Sequence, residues 1–466
     1  MTVYGNYLVS PEAEARMSRF AAFLIGLLVL APLVVPPMVF GAGGPPPLRA
    51  EDPILLFLFF TARRQKARLG RRAFSTILSV GTCIWLVYVL TQTIGVLLTL
   101  VGHPDNFIVN SLYTPLMYAR NTLIFITVGS LHLQPRHLWQ LVGFLALLGA
   151  AEMFLGMMQA YWPNPFTAFI FRYVRGSNLD PGRFIRSYGT LPNPNYYGGV
   201  LAVFASFSLA LGLCAKKKLF RIFGIASALL MAYAGFILAQ SRTCLFSMSL
   251  VIISVLTMSL FLPRGRWMPV LVMIGLVLLV IVGVGLLQTV ELPARITDFF
   301  DSVRTHGVTT GVSQSTGRLE LWENQLELLG TSGNYLFGAG SSKLNQENFD
   351  SGFLGALMTG GLIGLAAHCG LYFFMVWTSI ATLLRGRNGA YAPSALALIG
   401  ASLAMLTFEV TSGFIITPSL SVIQAATMGL VALTRREVDD EIAAQEEAEM
   451  YGQNWRSEEW SGEPQL

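Results

Sequence analysis

Long apolar stretches broken by short polar segments run from about residue 20 to residue 434. Many hold eighteen or more uncharged residues, enough for an α-helix to cross a hydrocarbon core of ~30 Å. The pattern predicts twelve helical spans, at residues 20–40, 52–62, 74–100, 112–131, 138–160, 195–215, 222–240, 243–262, 268–290, 351–383, 391–411 and 415–434. The second is short and reads as a half-span or re-entrant piece, which a membrane tolerates only where protein covers its ends. Arg16 and Arg19 precede the first span as they would a signal peptide, but its length and the parity of the map make it a retained span. The predicted fold class is all-α: a polytopic membrane protein of about twelve transmembrane helices with a large helix-containing outer loop.

Composition supports that class. Of 466 residues 53% are apolar and only 12% charged, whereas roughly a quarter of a soluble globular protein is charged. The net charge of +5 hides a division. Residues 437–466 carry ten acids against one base, a net of −9, which leaves +14 on the other 436 residues. The bases cluster in alternate loops: Arg63, Arg64, Lys66, Arg68, Arg71 and Arg72, then Arg136, then Lys216, Lys217, Lys218 and Arg221, then Arg264 and Arg266, then Arg385 and Arg387. Those loops contain no acid, so positive-inside bias puts them and both termini in the cytoplasm. The chain then divides into a single transmembrane domain, 1–434, with periplasmic segments 161–194 and 291–350, and an acidic cytoplasmic tail, 435–466. The tail's composition favours a solvated segment with at most a short helix. Cys83, Cys214, Cys244 and Cys369 lie in or beside apolar spans without CxxC spacing, so neither a disulfide framework nor a zinc site is indicated.

Positive-inside bias predicts few outer arginines, yet Arg172, Arg175, Arg183, Arg186, Arg242, Arg295, Arg304 and Arg318 fall there, and Arg120 lies within the fourth span. Arg172, Arg175, Arg295 and Arg304 read as a solvated loop surface. Arg242 opens the eighth span, and Arg318 opens a loop helix whose apolar positions are Leu319, Trp322, Leu326 and Leu329. A cation at a helix N-terminus opposes the macrodipole unless an anion is shared with the free backbone N–H groups. Arg186 precedes Ser-Tyr-Gly-Thr-Leu-Pro-Asn-Pro-Asn195, whose prolines force extended backbone before the sixth span, with Asn195 a natural N-cap. Asn193 and Asn195 read equally as turn and cap residues or as polar contacts to a ligand. Together these groups describe a metal-free diphosphate cradle.

Asp350 precedes the tenth span, where it reads either as a helix cap or as a carboxylate able to take a proton from a sugar hydroxyl. Gly360, Gly361 and Gly364 make a small face for helix packing. Glu152 and Glu409 are intramembrane carboxylates and therefore functional candidates, and His368 is expected near the cytoplasmic end as a local hydrogen-bonding group. No metal-ligand cluster, Walker loop or GxSxG elbow appears.

The outer segments together resemble the O-antigen ligase and O-antigen polymerase family of bacterial membrane glycosyltransferases. The matching pieces are Arg186–Asn195, Ser241-Arg242-Thr243, Thr316-Gly-Arg-Leu-Glu-Leu-Trp322 and Phe337-Gly-Ala-Gly340, in that order. The resemblance covers residues 180–370 and implies an undecaprenyl-diphosphate-linked donor held by Arg242 and Arg318. Arg186, Asn193, Asn195 and Arg120 would assist, Asp350 would act as base, and no cofactor is needed. It further implies the bacterial inner membrane, a periplasmic site, a glycan or lipid acceptor, flippase and chain-length regulator proteins as partners, and no nucleic acid. The ligase pattern has His followed by Asn, Ser or Gln, nine residues, then Gly-x-x-Gly. Here Asp350 and Ser351 precede nine residues, Gly361 and Gly364, so Asp stands where the ligases have His, and the polymerase branch is favoured over the ligase.

The rival class is a twelve-span transporter or flippase. Lys66-Ala-Arg-Leu-Gly-Arg-Arg72 resembles a loop signature of major facilitator transporters, but lacks its acid and leading glycine. A transporter would also concentrate polar groups near the midplane. A third reading is a non-catalytic scaffold, in which the outer arginines would be dispensable.

Overall fold

In the computed structural model the described residues are 10–34, 49–69, 75–102, 109–175, 186–191, 193–263, 334–340, 351–413 and 418–460, with seven further positions between 305 and 330. They form α1 (Pro11–Val34), α2 (Glu51–Leu69), α3 (Thr76–Gly102), α4 (Tyr113–Ser130), α5 (Pro135–Tyr161), α6 (Pro165–Arg175), α7 (Pro194–Cys214), α8 (Lys218–Tyr233), α9 (Arg242–Ser259), α10 (Gly352–Arg385), α11 (Ala392–Thr411) and α12 (Pro418–Trp460). No strand occurs among the described residues. Helices lie on eleven of the twelve predicted segments, and the ninth, 268–290, is outside the described residues. Seven are long and apolar enough to cross a membrane: Glu12–Val34, Thr76–Gly102, Pro135–Tyr161, Pro194–Cys214, Lys218–Leu238, Gly352–Arg385 and Ala392–Val410. The protein is an all-α membrane protein.

Burial assigns the centre. α7 is buried along nearly its whole length and packs against α5, α8, α9 and α11. Its small residues Gly198, Gly199, Ala202, Ala205 and Ala210 allow that crowding. On the other flank α3, α4, α10 and α12 pack together, with α1 and α2 against α4, α5 and α12. α11 joins the two groups. The lipid-facing flanks keep large apolar side chains exposed, such as Phe373, Trp377 and Leu86.

Three expectations change. The short second segment is a helix of 19 residues, about 28 Å long, because Arg63, Arg64 and Lys66 continue it beyond the apolar run. The tail is also helical, since α12 continues from its apolar half to Trp460. Arg435 and Arg436, the first two residues of the segment expected as a solvated tail, are 7% and 8% exposed. Arg436 donates to Gly129 O (3.1 Å) and Leu131 O (2.5 Å), carbonyls at the α4 C-terminus that no later turn satisfies. Beside it His132 bridges Glu14 of α1 and Glu437 of α12, at 2.9 Å each.

The third change is the largest. The tenth segment is not one span but a helical hairpin. Gly361 has φ 65° and ψ −163°, a left-handed region where a side chain is strained. The short arm, residues 352–360, folds back on the long arm, residues 362–385. In a straight helix Phe353 and His368 would be about 22 Å apart, yet their ring centroids are 5.2 Å apart. The long arm alone has the length to cross a bilayer, about 36 Å.

Candidate functional site

Of the predicted residues, Arg186, Asn193, Asn195 and the backbone of Arg242 lie where α7 and α9 begin. Asn193 adopts extended backbone and accepts from Asn195 N (2.8 Å), so Asn193 is the N-cap of α7 and Asn195, expected as the cap, is the second residue of the helix, because Pro194 already takes the first helical position. Ser241 accepts from Cys244 N (3.3 Å) and caps α9. A β-carbon on Gly198 would lie 2.8 Å from Cys244 Cβ and 3.0 Å from Ser241 Cβ, so the start of α9 packs directly on the second turn of α7. Arg242 is the first residue of α9. The beginnings of α7 and α9, with the positive ends of their dipoles, therefore lie close together.

Arg186 straps this arrangement. Its Nε donates to Ala239 O (2.7 Å), and its Nη2 to Asn195 Oδ1 (2.8 Å) and Gln240 O (3.4 Å). The acceptors on residues 239 and 240 exist because α8 ends in a π-helical turn, Ala234–Leu238, after which Gln240 takes φ 48°. A guanidinium on the free carbonyls at a helix end is favourable, and its fork reaches the neighbouring helix start as well.

The turn after Arg186 is held from α5. Gln159 Oε1 accepts from the N–H groups of Tyr188 and Gly189 (3.0 Å each), and its Nε2 donates to Gly189 O (2.7 Å). Glu152 accepts from Thr190 Oγ1 (2.6 Å) and Thr190 N (3.1 Å). Gly189 has φ 56° and lies against Glu152 and the Tyr197 ring. The buried carboxylate expected as a functional candidate thus shapes the loop 186–191, and Gln159, which the sequence did not single out, does as much.

A third helix start, that of the short arm of α10, lies beside α11. Ser351 caps it, accepting from Leu354 N (3.5 Å) and donating to Glu409 O (3.5 Å). The Glu409 carboxylate abuts Gly352 at that N-terminus. It accepts from Tyr372 OH (2.8 Å) and lies 3.1 Å from His368 Nε2, both partners on the long arm. Tyr88 adds its ring to His368 at 5.6 Å. His368 is therefore at the hairpin and not at the opposite end of the bundle. Gly199 on the second turn of α7 packs on Phe408, next to Glu409, so α11 lies between the beginning of α7 and the start of the short arm.

The hairpin turn is secured by residues 335–340. Ala339 N donates to Met358 O (2.9 Å), Gly340 N to Thr359 O (3.0 Å) and Leu362 N to Tyr335 O (2.8 Å). Thr99 of α3 donates to Ala339 O (2.6 Å). These bonds satisfy the backbone groups freed at Gly361, as an apolar surrounding requires. The Phe337–Gly340 motif and Gly361 are one structural unit, where a packing face was expected.

Arg120 belongs to a different cluster. Its Nη1 contacts Glu51 Oε1 (3.4 Å) and Asp52 Oδ1 (3.5 Å) at the start of α2, and Glu51 also pairs with Arg49 (3.5 Å). Its charge is compensated by carboxylates of α2, so it ties α2 to α4. Asp350 and Arg318 lie outside the described residues, as does the side chain of Arg242. Among the described residues no three His, Cys, Asp or Glu side chains form a metal-ligand set.

No protein-family model and no curated protein matches the chain.

Proposed function

We propose that the chain is a twelve-span membrane glycosyltransferase of the O-antigen polymerase and ligase type, working on undecaprenyl-diphosphate-linked glycan at the periplasmic face of the inner membrane, and specifically a polymerase of repeat units. The observation that carries this reading is the contact of the α9 helix start, where Arg242 stands, with the beginning of α7, and the Arg186 strap across them. Helix starts are the places where backbone N–H groups and the macrodipole favour phosphate oxygens. The motif order that resembles the family supports it independently.

In the proposed reaction Arg242 and Arg318 hold the donor diphosphate. Asp350 takes the proton of the acceptor hydroxyl as its oxygen attacks the anomeric carbon. The bond from that carbon to the diphosphate oxygen breaks, and undecaprenyl diphosphate leaves with its new charge neutralised by the two guanidiniums, an effect worth several kcal/mol in a site poor in water. Attack opposite the leaving group inverts the anomeric centre. The lipid diphosphate bond already activates the sugar, so no nucleotide enters. Arg186 and Asn193 serve by building the helix starts, and Asn195 by fixing Arg186.

Arg242→Ala, Arg318→Ala and Asp350→Ala test the reading. Each is expected to abolish polysaccharide at normal protein levels, and full production by all three would overturn it. Deletion distinguishes the branches. Loss of a polymerase leaves single repeat units on the carrier, loss of a ligase leaves long carrier-linked chains, and untranslocated units mark a flippase.

A further inference from the structure

Arg49 and Arg120 leave donors unused. Both guanidiniums meet Glu51 Oε1 through Nη1, Arg49 at 3.5 Å and Arg120 at 3.4 Å, and Arg120 Nη1 also reaches Asp52 Oδ1 at 3.5 Å. The carboxylates therefore occupy one corner of Arg120 alone. Its Nε and Nη2 form the edge that binds an oxyanion through two parallel bonds. Among the described residues neither atom has a hydrogen-bond partner, nor does Arg49 Nε, and all three are shut off from bulk solvent. A buried donor left unpaired is destabilising, most of all on a charged group.

The place of the cluster points to the partner. At about 100° per residue, Asp52 stands on the face of α2 that carries Leu56 and Phe60, and Arg120 stands beside Leu116 and Leu123 on α4. All four apolar side chains are more than half exposed, and α2 and α4 pack against each other. In a membrane-spanning chain such a surface is covered by acyl chains. The ion cluster closes one end of it, at the first turn of α2 where the apolar run begins. Two arginines and two carboxylates leave the cluster formally neutral, which matches a neutral headgroup better than a net anion. Asp52 is 34% exposed at its side chain, against 3% for Glu51, so Asp52 is open to a second cation.

We infer that the seam between α2 and α4 is a binding site for a zwitterionic phospholipid with a primary ammonium, such as phosphatidylethanolamine. Its phosphate oxygens accept from the Nε and Nη2 edge of Arg120, its ammonium donates to Asp52, and its acyl chains lie over Leu56, Phe60, Leu116 and Leu123. Arg49 Nε supplies a further donor on the phosphate side. Arg120, an arginine within an apolar span, thereby gains a ligand of its own, separate from any diphosphate held where α7 and α9 begin. The inference stands on the membrane character of the chain and is independent of glycosyl transfer.

Native mass spectrometry of the full chain tests it, after delipidation in detergent and addition of equimolar phosphatidylethanolamine, phosphatidylcholine and phosphatidylglycerol. The wild type is expected to retain phosphatidylethanolamine about fivefold over each of the other two. Asp52→Asn, which keeps the shape and removes the charge, is expected to abolish that preference, and Arg120→Lys to lower total phospholipid retention about tenfold. Phosphatidylethanolamine is also expected to raise the thermal midpoint of the wild type where inorganic phosphate alone does not. Equal retention of the three lipids by the wild type, an unchanged preference in Asp52→Asn, unchanged retention in Arg120→Lys, or an equal thermal shift with inorganic phosphate overturns the inference.

Discussion

Phe353 and His368 belong to one continuous run of helical residues, fifteen positions apart, yet their rings meet edge to face with centroids 5.2 Å apart. That contact makes residues 352–385 a hairpin whose short arm begins beside a buried carboxylate.

Gly361→Ala should be severely damaging. The positive φ costs about 1–2 kcal/mol for an L-residue, and the new methyl would press on the Leu336 carbonyl, which accepts from Ile363 N (3.2 Å). Gly364→Ala meets its nearest atoms at 3.3 Å and should be much milder. Thermal midpoints of the two purified variants check the contrast, which disappears if residues 352–385 form one straight helix.

Removing the Glu409 carboxylate leaves the Tyr372 hydroxyl and the His368 imidazole facing a gap. Glu409→Ala is expected to cost about 3 kcal/mol, as for a buried polar network that loses its acceptor. Glu409→Gln keeps an acceptor oxygen for Tyr372 and should cost less. A double-mutant cycle with Tyr372→Phe should show coupling of about 1 kcal/mol. Strict additivity in thermal or denaturant unfolding would mean that the two side chains do not interact.

Arg186→Lys is expected to behave like Arg186→Ala in polysaccharide production. Lysine keeps the charge but loses the planar fork that reaches Ala239 O and Asn195 Oδ1 together. Asn195→Asp, by contrast, retains an acceptor and should keep most activity. Restoration of full output by lysine would show that charge alone matters at this position.

At the opposite end, Glu437→Ala should lower the thermal midpoint more than Glu14→Ala. Glu437 is 3% exposed at its side chain and joins His132 and Arg436, whereas Glu14 is 20% exposed there and partly solvated. Loss of the buried member is worth about 3 kcal/mol and of the solvated one about 1 kcal/mol. Unfolding of both variants in the same detergent gives the comparison.

The membrane class was legible because hydropathy integrates over twenty residues and needs no partner. Helix starts at 194, 242 and 352 were likewise legible, because an oxygen-bearing cap before an apolar run is a local signal. The hairpin was not. A nine-residue arm joined to a crossing helix gives one uninterrupted apolar run, and Gly361 reads as a packing glycine until its φ is known. The partners of Arg120 and Arg436 were hidden for a similar reason, since Glu51 and the Gly129 carbonyl are distant in sequence.

The sequence by itself determined that this chain is helical and membrane-embedded, and which residues stand at the helix starts, because transfer free energy and capping are properties of short windows. Only the tertiary structure decided that the α9 start meets the beginning of α7, that Arg186 serves as a strap, and that Glu409, His368 and Tyr372 close under a hairpin. Convergence depends on the direction each helix takes, and direction is set by contacts between residues that no local pattern links.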